Sequence, residues 1–274
     1  MIPFTKAHAC GNDFLIVTEE AAAGHDLAEL TRHLCQRNTG VGADGIEFFA
    51  WTGPHSGRIR LHNADGSIAE ISGNGTRCVA AWMAQSVNAQ AGSVLEIATD
   101  AGTRSCRINE VEETGVYTVQ VTTGMGIPVL AEKTVVLADG TTIRGIEVST
   151  GNPHFVILAD AAEFDVAGRS WRAIGAEICV HSDFPHQTNV EFVRIVHPGE
   201  IEIRIFERGV GPTSSSGTGT SASASAAIAY HSCRSPLRVV APGGAQEVIW
   251  AGDRSELHLT GPAALIARGK AWIA

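Results

Sequence analysis

Four blocks of this chain recur in the same order roughly 140 residues further on, and that duplication restricts the accessible folds more than any other feature. Ala9-Cys10-Gly11-Asn12-Asp13-Phe14-Leu15-Ile16 returns as Ser149-Thr150-Gly151-Asn152-Pro153-His154-Phe155-Val156. Gly45-Ile46-Glu47-Phe48-Phe49 matches Asn189-Val190-Glu191-Phe192-Val193, and Arg60-Leu61-His62-Asn63 matches Arg204-Ile205-Phe206-Glu207. The closest pair is Ser72-Gly73-Asn74-Gly75-Thr76 with Ser216-Gly217-Thr218-Gly219-Thr220. One glycine-rich block could repeat by chance. Four ordered blocks at nearly one spacing indicate duplication, and two copies fit a pseudo-twofold pair of lobes rather than a solenoid, which needs shorter periods and more copies.

Each SGxGT block runs into small and apolar residues, Cys78 to Ala84 in one half and Ala222 to Ala229 in the other. This pattern predicts buried helices that begin just after a serine cap. Glycines beyond the cap let a ligand approach bare backbone amides, so two such helix starts facing a cleft would suit an anion, most simply a carboxylate. Alternation in Val116 to Val121 and Glu200 to Ile205 predicts half-buried strands. Each half is therefore read as α+β, a curved, mostly antiparallel sheet or barrel around a central helix, since enclosure accounts for helices so rich in small residues. The lobes are expected at residues 1–120, with 263–274 returning to the first, and at 121–262. Gly124-Met125-Gly126-Ile127-Pro128 supplies a hinge-like break near the midpoint.

Composition narrows the function. A length of 274 residues, 44% apolar and 18% charged, supports real cores. A net charge of -9, with dispersed Lys and Arg, argues against nucleic acid as a partner. No stretch has the length and apolarity of a membrane span and the first residues do not read as a signal peptide, so a cytoplasmic protein is expected. Six cysteines without a CxxC pair, and histidines without ligand spacing, give no metal site. Nucleotide-binding glycine motifs are absent, and no cofactor is expected.

The motifs Gly11-Asn12-Asp13-Phe14, Asn63-Ala64-Asp65-Gly66-Ser67, Gly73-Asn74-Gly75-Thr76-Arg77-Cys78, Gly151-Asn152-Pro153-His154 and Glu207-Arg208-Gly209-Val210-Gly211 resemble, in order and spacing, those of the diaminopimelate epimerase family. The resemblance runs from Lys6 to the C-terminus. It implies a cofactor-independent isomerase that interconverts LL- and meso-diaminopimelate, in lysine and cell-wall precursor synthesis, by removing the Cα proton on one face and returning one on the other. It also implies that Asn12, Asn63, Asn152, Asn189 and Arg208 bind the substrate's distal end, which suits bidentate recognition of a carboxylate by Arg208. Gly73, Asn74, Gly217 and Thr218, at the two helix starts, would hold the reacting end. A homodimer is compatible with these features.

The chain departs from the family at the two catalytic positions, where the family has cysteines and Ser72 and Ser216 stand here. A helix N-terminus can drive a thiol to thiolate, but a serine hydroxyl is on the order of five pKa units weaker than a thiol of about 8.5. Forming the base then costs roughly 7 kcal/mol more. His154 and Glu207, which lie beside the catalytic pair in the family, are candidate relay groups for the serines. A hydrogen-bonded turn histidine and an ordinary salt-bridge glutamate are the alternatives for them. Cys10, two residues before Asn12, is a further thiol near the expected pocket, although free cysteine is usually inert packing. The serines fit either an exchange made to trap substrate or a natural branch that has left cysteine chemistry, and Ser215, Ser221 and Pro212 extend the divergence. Three functions follow: an impaired or altered diaminopimelate epimerase, a non-catalytic amino-acid-binding homologue, or an isomerase of the same fold with a different substrate.

Overall fold

The computed structural model describes residues 1–113, 117–159, 162–252 and 254–273. It divides into two compact units, Met1–Gly124 with Thr260–Ala274, and Met125–Leu259. The first unit begins with a hairpin, β1 (Ile2–Ala9) and β2 (Asn12–Thr18), turned at Cys10 and Gly11. Both turn residues have positive φ, 51° and 81°, which explains the glycine. Helix α1 (Leu27–Cys35), capped by Asp26, then carries the chain to β3 (Gly45–Gly53), which lies parallel to β2. Strands β4 (Ser56–Asn63) and β5 (Ile68–Ala69) follow, and lead into helix α2 (Gly73–Ser86).

Strands β6 (Val94–Thr99), β7 (Gly102–Glu112) and β8 (Tyr117–Gly124) complete the first pass; Val116 lies outside the described residues. The last strand of the chain, His258–Ala271, pairs with both β8 and β1 and closes the sheet into a barrel. Helix α2 lies against β1, β2, β6, β7 and β8, with Cys78, Val79, Ala80, Ala81, Met83 and Ala84 fully buried. Closure surrounds the helix with strands, and most of its buried residues are small, Arg77 and Met83 being the large exceptions.

The second unit repeats this order. Strands β9 (Val129–Val136), β10 (Thr142–Ser149) and β11 (Pro153–Leu158) precede helix α3 (Trp171–Cys179). After it come β12 (Asn189–His197), β13 (Glu200–Glu207), β14 (Gly211–Thr213) and helix α4 (Gly217–Tyr230), then β15 (Leu237–Ala241) and β16 (Gly244–Ile249). Register repeats as well: Phe14 faces Gly45 across β2 and β3, and His154 faces Asn189 across β11 and β12. Glu47 and Glu191 occupy matching places, two residues further along each parallel pair. The segment Gly124 to Pro128 lies between β8 and β9.

Helix α4 is buried on every side from Gly217 to Ala227. Two of its serines satisfy their hydroxyls inside the helix, Ser221 donating to the Gly217 carbonyl at 2.9 Å and Ser225 to that of Ala222 at 3.0 Å, whereas the buried Ser223 hydroxyl has no hydrogen-bond partner among the described residues. Thr220 donates to Gln246 Oε1 at 2.7 Å. Enclosure makes the helix intolerant of bulk. Ala224→Leu, at a position with no solvent exposure, should therefore lower stability by roughly 1–3 kcal/mol. Urea unfolding reads this as an earlier midpoint at unchanged slope.

Candidate active site

In the first unit the site begins at Ser72, the N-cap of α2. Its backbone is extended, with φ -126° and ψ 121°, and its Oγ accepts from the Gly75 amide at 3.0 Å. Ser216 does the same for α4, accepting from the Gly219 amide at 3.2 Å, and its hydroxyl lies 3.4 Å from that of Thr218. Each hydroxyl therefore sits on the positive end of a 14-residue helix. The N–H groups of the first turn, those of Gly73, Asn74, Gly217 and Thr218 among them, provide the setting in which helices hold anions.

The asparagines are fixed by specific partners. Asp44 Oδ2 accepts from Asn12 Nδ2 at 2.6 Å and from the Asp13 amide at 3.1 Å. Asn12 Oδ1 in turn accepts from Asn74 Nδ2 at 3.1 Å, and the buried Arg77 donates to Asn74 Oδ1 at 2.6 Å. Asp13 anchors this turn through ion pairs of 2.9 Å with both Lys6 and Arg37. Burial raises its pKa, but the hydrogen bonds and charges of Arg37 and Lys6 outweigh burial and hold it below the usual value. Asn63 ends β4 and donates to Ser67 Oγ at 3.0 Å, which ties it to the Asp65–Ser67 turn rather than to Asn12.

In the second unit Asn152, His154, Thr218 and Ser216 form one chain of contacts. Asn152 Nδ2 donates to Thr218 Oγ1 at 3.3 Å, so its Oδ1 is the acceptor that faces His154 Nε2 at 2.9 Å. His154 must then donate from Nε2, and its Nδ1 meets Glu191 Oε1 at 2.8 Å. Both ring nitrogens are engaged and the ring is fully buried, so His154 reaches Ser216 only by way of Asn152 and Thr218. Asn189 Nδ2 donates to the Pro153 carbonyl at 3.2 Å, and its Oδ1 accepts from the Arg208 amide at 2.9 Å. The Arg208 guanidinium donates to the His186 carbonyl at 3.0 Å, which fixes one of its nitrogens. Glu207 is the last residue of β13, beside Arg208.

Two carboxyls escaped the sequence reading. Glu47 and Glu191 are both fully buried, one beneath the start of each central helix. A Cβ on Gly219 would meet Glu191 Oε1 at 2.8 Å, and one on Gly75 would run into Glu47 Oε1. The second glycine of each SGxGT block thus leaves room for the glutamate below it. A glutamate centred in an apolar strand segment, twice, was the available signal. Glu191 has His154 as its partner, whereas among the described residues neither oxygen of Glu47 has a hydrogen-bond partner. Burial pushes the Glu47 carboxyl up to about 8.

All six cysteines are buried and none is in a disulfide. Burial raises Cys35 and Cys106 to about 12 and Cys78 further still, so these three are neutral packing groups. Among the described residues no cluster of His, Cys, Asp and Glu is arranged to hold a metal ion, and no helix is long and apolar enough to cross a membrane.

The family model "Diaminopimelate epimerase" matches residues 4–129 and 146–266. A diaminopimelate epimerase of Desulforudis audaxviator is 36% identical over 284 aligned positions, covering 98% of this chain and 99% of that protein. One of Corynebacterium glutamicum strain R is 35% identical over 281, covering 99% of each. Among solved structures, a predicted epimerase from Pseudomonas aeruginosa superimposes with a TM-score of 0.72 at 13% identity, covering 98% of this chain and 99% of its own. A probable proline racemase from Agrobacterium radiobacter gives 0.72 at 17% identity, covering 98% and 92%. At these identities the structural matches speak for the fold.

Glu47 generates a pH dependence whose sign is fixed. Its folded-state pKa, about 8, lies above the ordinary glutamate value of 4.5, so below that lower value both states hold the proton and burial is unpenalised. As pH rises towards 8 the unfolded state ionises first, stability falls, and the full penalty is reached above the folded value. Glu47→Gln should remove this slope. Its stability advantage over the parent protein, measured by urea unfolding, should grow between about pH 5 and about pH 9. An advantage independent of pH would contradict the assignment.

Proposed function

Because the chain belongs to the diaminopimelate epimerase family, we propose that it interconverts LL- and meso-diaminopimelate by moving the Cα proton between two side chains, Ser72 and Ser216, without a cofactor. The observation that carries this reading is the duplicated cap. Each serine hydroxyl crowns a glycine-rich helix start, bonded to the amide three residues on. Amides and helix dipoles there would hold the substrate's reacting carboxylate and stabilise the carbanion formed when the Cα proton leaves.

Arg208, with one nitrogen held by His186, grips the distal carboxylate, and Asn12, Asn63, Asn152 and Asn189 complete the recognition of the diamino-dicarboxylate. His154 acts as a positioning group: held by Glu191, it fixes Asn152, which in turn sets Thr218 against Ser216. Glu207, beside Arg208, is the remaining acid–base candidate in the second unit. This chemistry belongs in the cytoplasm, where lysine and cell-wall precursors are made.

Proton transfer is the weak point. Alkoxide is harder to form than thiolate, so the protein should exchange the Cα proton of diaminopimelate for deuterium slowly in heavy water. Ser72→Cys combined with Ser216→Cys should raise that rate by roughly 10²-fold or more, while either single change leaves one face slow. No exchange by either form would favour an amino-acid-binding homologue without turnover. No gain in the double variant would favour a different substrate. Calorimetry tests recognition separately: diaminopimelate should bind more tightly than lysine, by about tenfold or more, since lysine lacks the distal carboxylate. Equal affinities would remove Arg208 from the proposed role.

A further inference from the structure

The two units differ beneath their helix starts. In the second, Glu191 is bonded to His154. In the first, the place of His154 is taken by Phe14, and Glu47 lies fully buried with both oxygens unpartnered among the described residues. Glu47 Cδ and Ser72 Cβ lie 3.1 and 3.2 Å from one point, the place a Gly75 Cβ would occupy, so carboxyl and serine are near neighbours although no hydrogen bond joins them here; bonds between proton-relay groups commonly tighten only when substrate binds. An unpaired buried carboxyl is costly, and folds retain one chiefly where it has chemical work.

The surroundings of Glu47 carry no compensating charge. Its in-register neighbours on β2 and β4 are Ile16 and Leu61. On α2 the nearby titratable group is the Cys78 thiol, kept neutral by burial, and Arg77 is drawn to Asn74. A carboxylate in such a place is a stronger base than one in water, since burial lifts its conjugate acid to about 8.

Resting on the epimerase reading, we propose that Glu47 is the positioning residue of the Ser72 face: its carboxylate takes the Ser72 hydroxyl proton as Ser72 Oγ takes the proton from the substrate's Cα. The Cα–H bond breaks, its electron pair stays on the substrate, and the negative charge moves from Glu47 to the carbanion. In reverse, protonated Glu47 returns its proton to Ser72 as Ser72 protonates Cα. Ser72 Oγ accepts from the Gly75 amide, which leaves its own proton to be given to the carboxylate. In the second unit the carboxyl beneath Ser216 is instead bonded to His154, which reaches Ser216 by way of Asn152 and Thr218.

The test follows deuterium entry at Cα separately from LL- and meso-diaminopimelate, in the parent protein, Glu47→Gln, Glu47→Asp and Ser72→Ala, with unfolding midpoints recorded for each. Glu47→Gln should lose at least about tenfold in exchange from the same stereoisomer that Ser72→Ala disables, and retain exchange from the other. Glu47→Asp should restore part of the loss. In the parent protein the sensitive exchange should climb as pH rises through about 8. Exchange by a folded Glu47→Gln within about twofold of the parent from both stereoisomers would overturn the proposal.

Infrared spectroscopy provides a readout independent of turnover. The protonated-carboxyl band absent from Glu47→Gln reports Glu47, and Ser72→Ala should shift the pH at which it vanishes. If the parent protein exchanges neither stereoisomer, the substrate reading fails, and the band still decides the coupling. A shift on Ser72→Ala upholds it, and an unmoved titration overturns it.

Discussion

Full enclosure of a capped helix inside a sheet governs the rest of this structure. A helix start placed in a protein interior leaves backbone donors that must find partners, and a serine side chain answers one of them in each unit. Enclosure then dictates composition. From Gly217 to Ala227 every residue of α4 is buried, and the helix consists of glycine, alanine, serine and threonine because the surrounding strands leave room for little else. The same closeness brings Glu47 and Glu191 up beneath the helix starts, where a Cβ at position 75 or 219 would press on the carboxyl below.

From this arrangement follow both the case for a carboxylate at the proposed site and the difficulty of proton transfer there. Helix dipoles and amides favour negative charge at Ser72 and Ser216, but that stabilisation is modest beside the gap in acidity between a hydroxyl and a thiol. A base stronger than an exposed carboxylate has to stand behind each serine if the hydroxyls are to carry protons. The second unit places a His154–Glu191 pair there, bonded outward to Asn152 and Thr218. The first holds a lone glutamate, raised by burial. The duplication therefore kept the scaffold and changed the side chains behind the cap.

Much of the fold was legible in the sequence because the duplication is written in residues with few structural alternatives. SGxGT followed by small residues marks a capped, buried helix, and α2 and α4 begin just after Ser72 and Ser216. The alternation of Glu200 to Ile205 marks a strand, and β13 covers it. The site was less legible. Glu47 and Glu191 stood in the repeated strand blocks, yet a glutamate in a strand ordinarily faces water, and only the register shows both turned beneath a helix. The engagement of both His154 nitrogens was likewise hidden, since it depends on Asn152 and Glu191 arriving from different strands.

In the proposed reaction two groups, one on each face of Cα, handle the proton. Running the reaction in heavy water from a single stereoisomer, and mapping early deuterium in both the recovered substrate and the product, tests this most directly. Two acid–base groups predict deuterium at Cα of the product while recovered substrate stays protonated, because the face that delivers has exchanged with solvent and the face that abstracts has not yet released its proton. Equal early labelling of substrate and product would contradict the account, since it would mean that one group serves both faces.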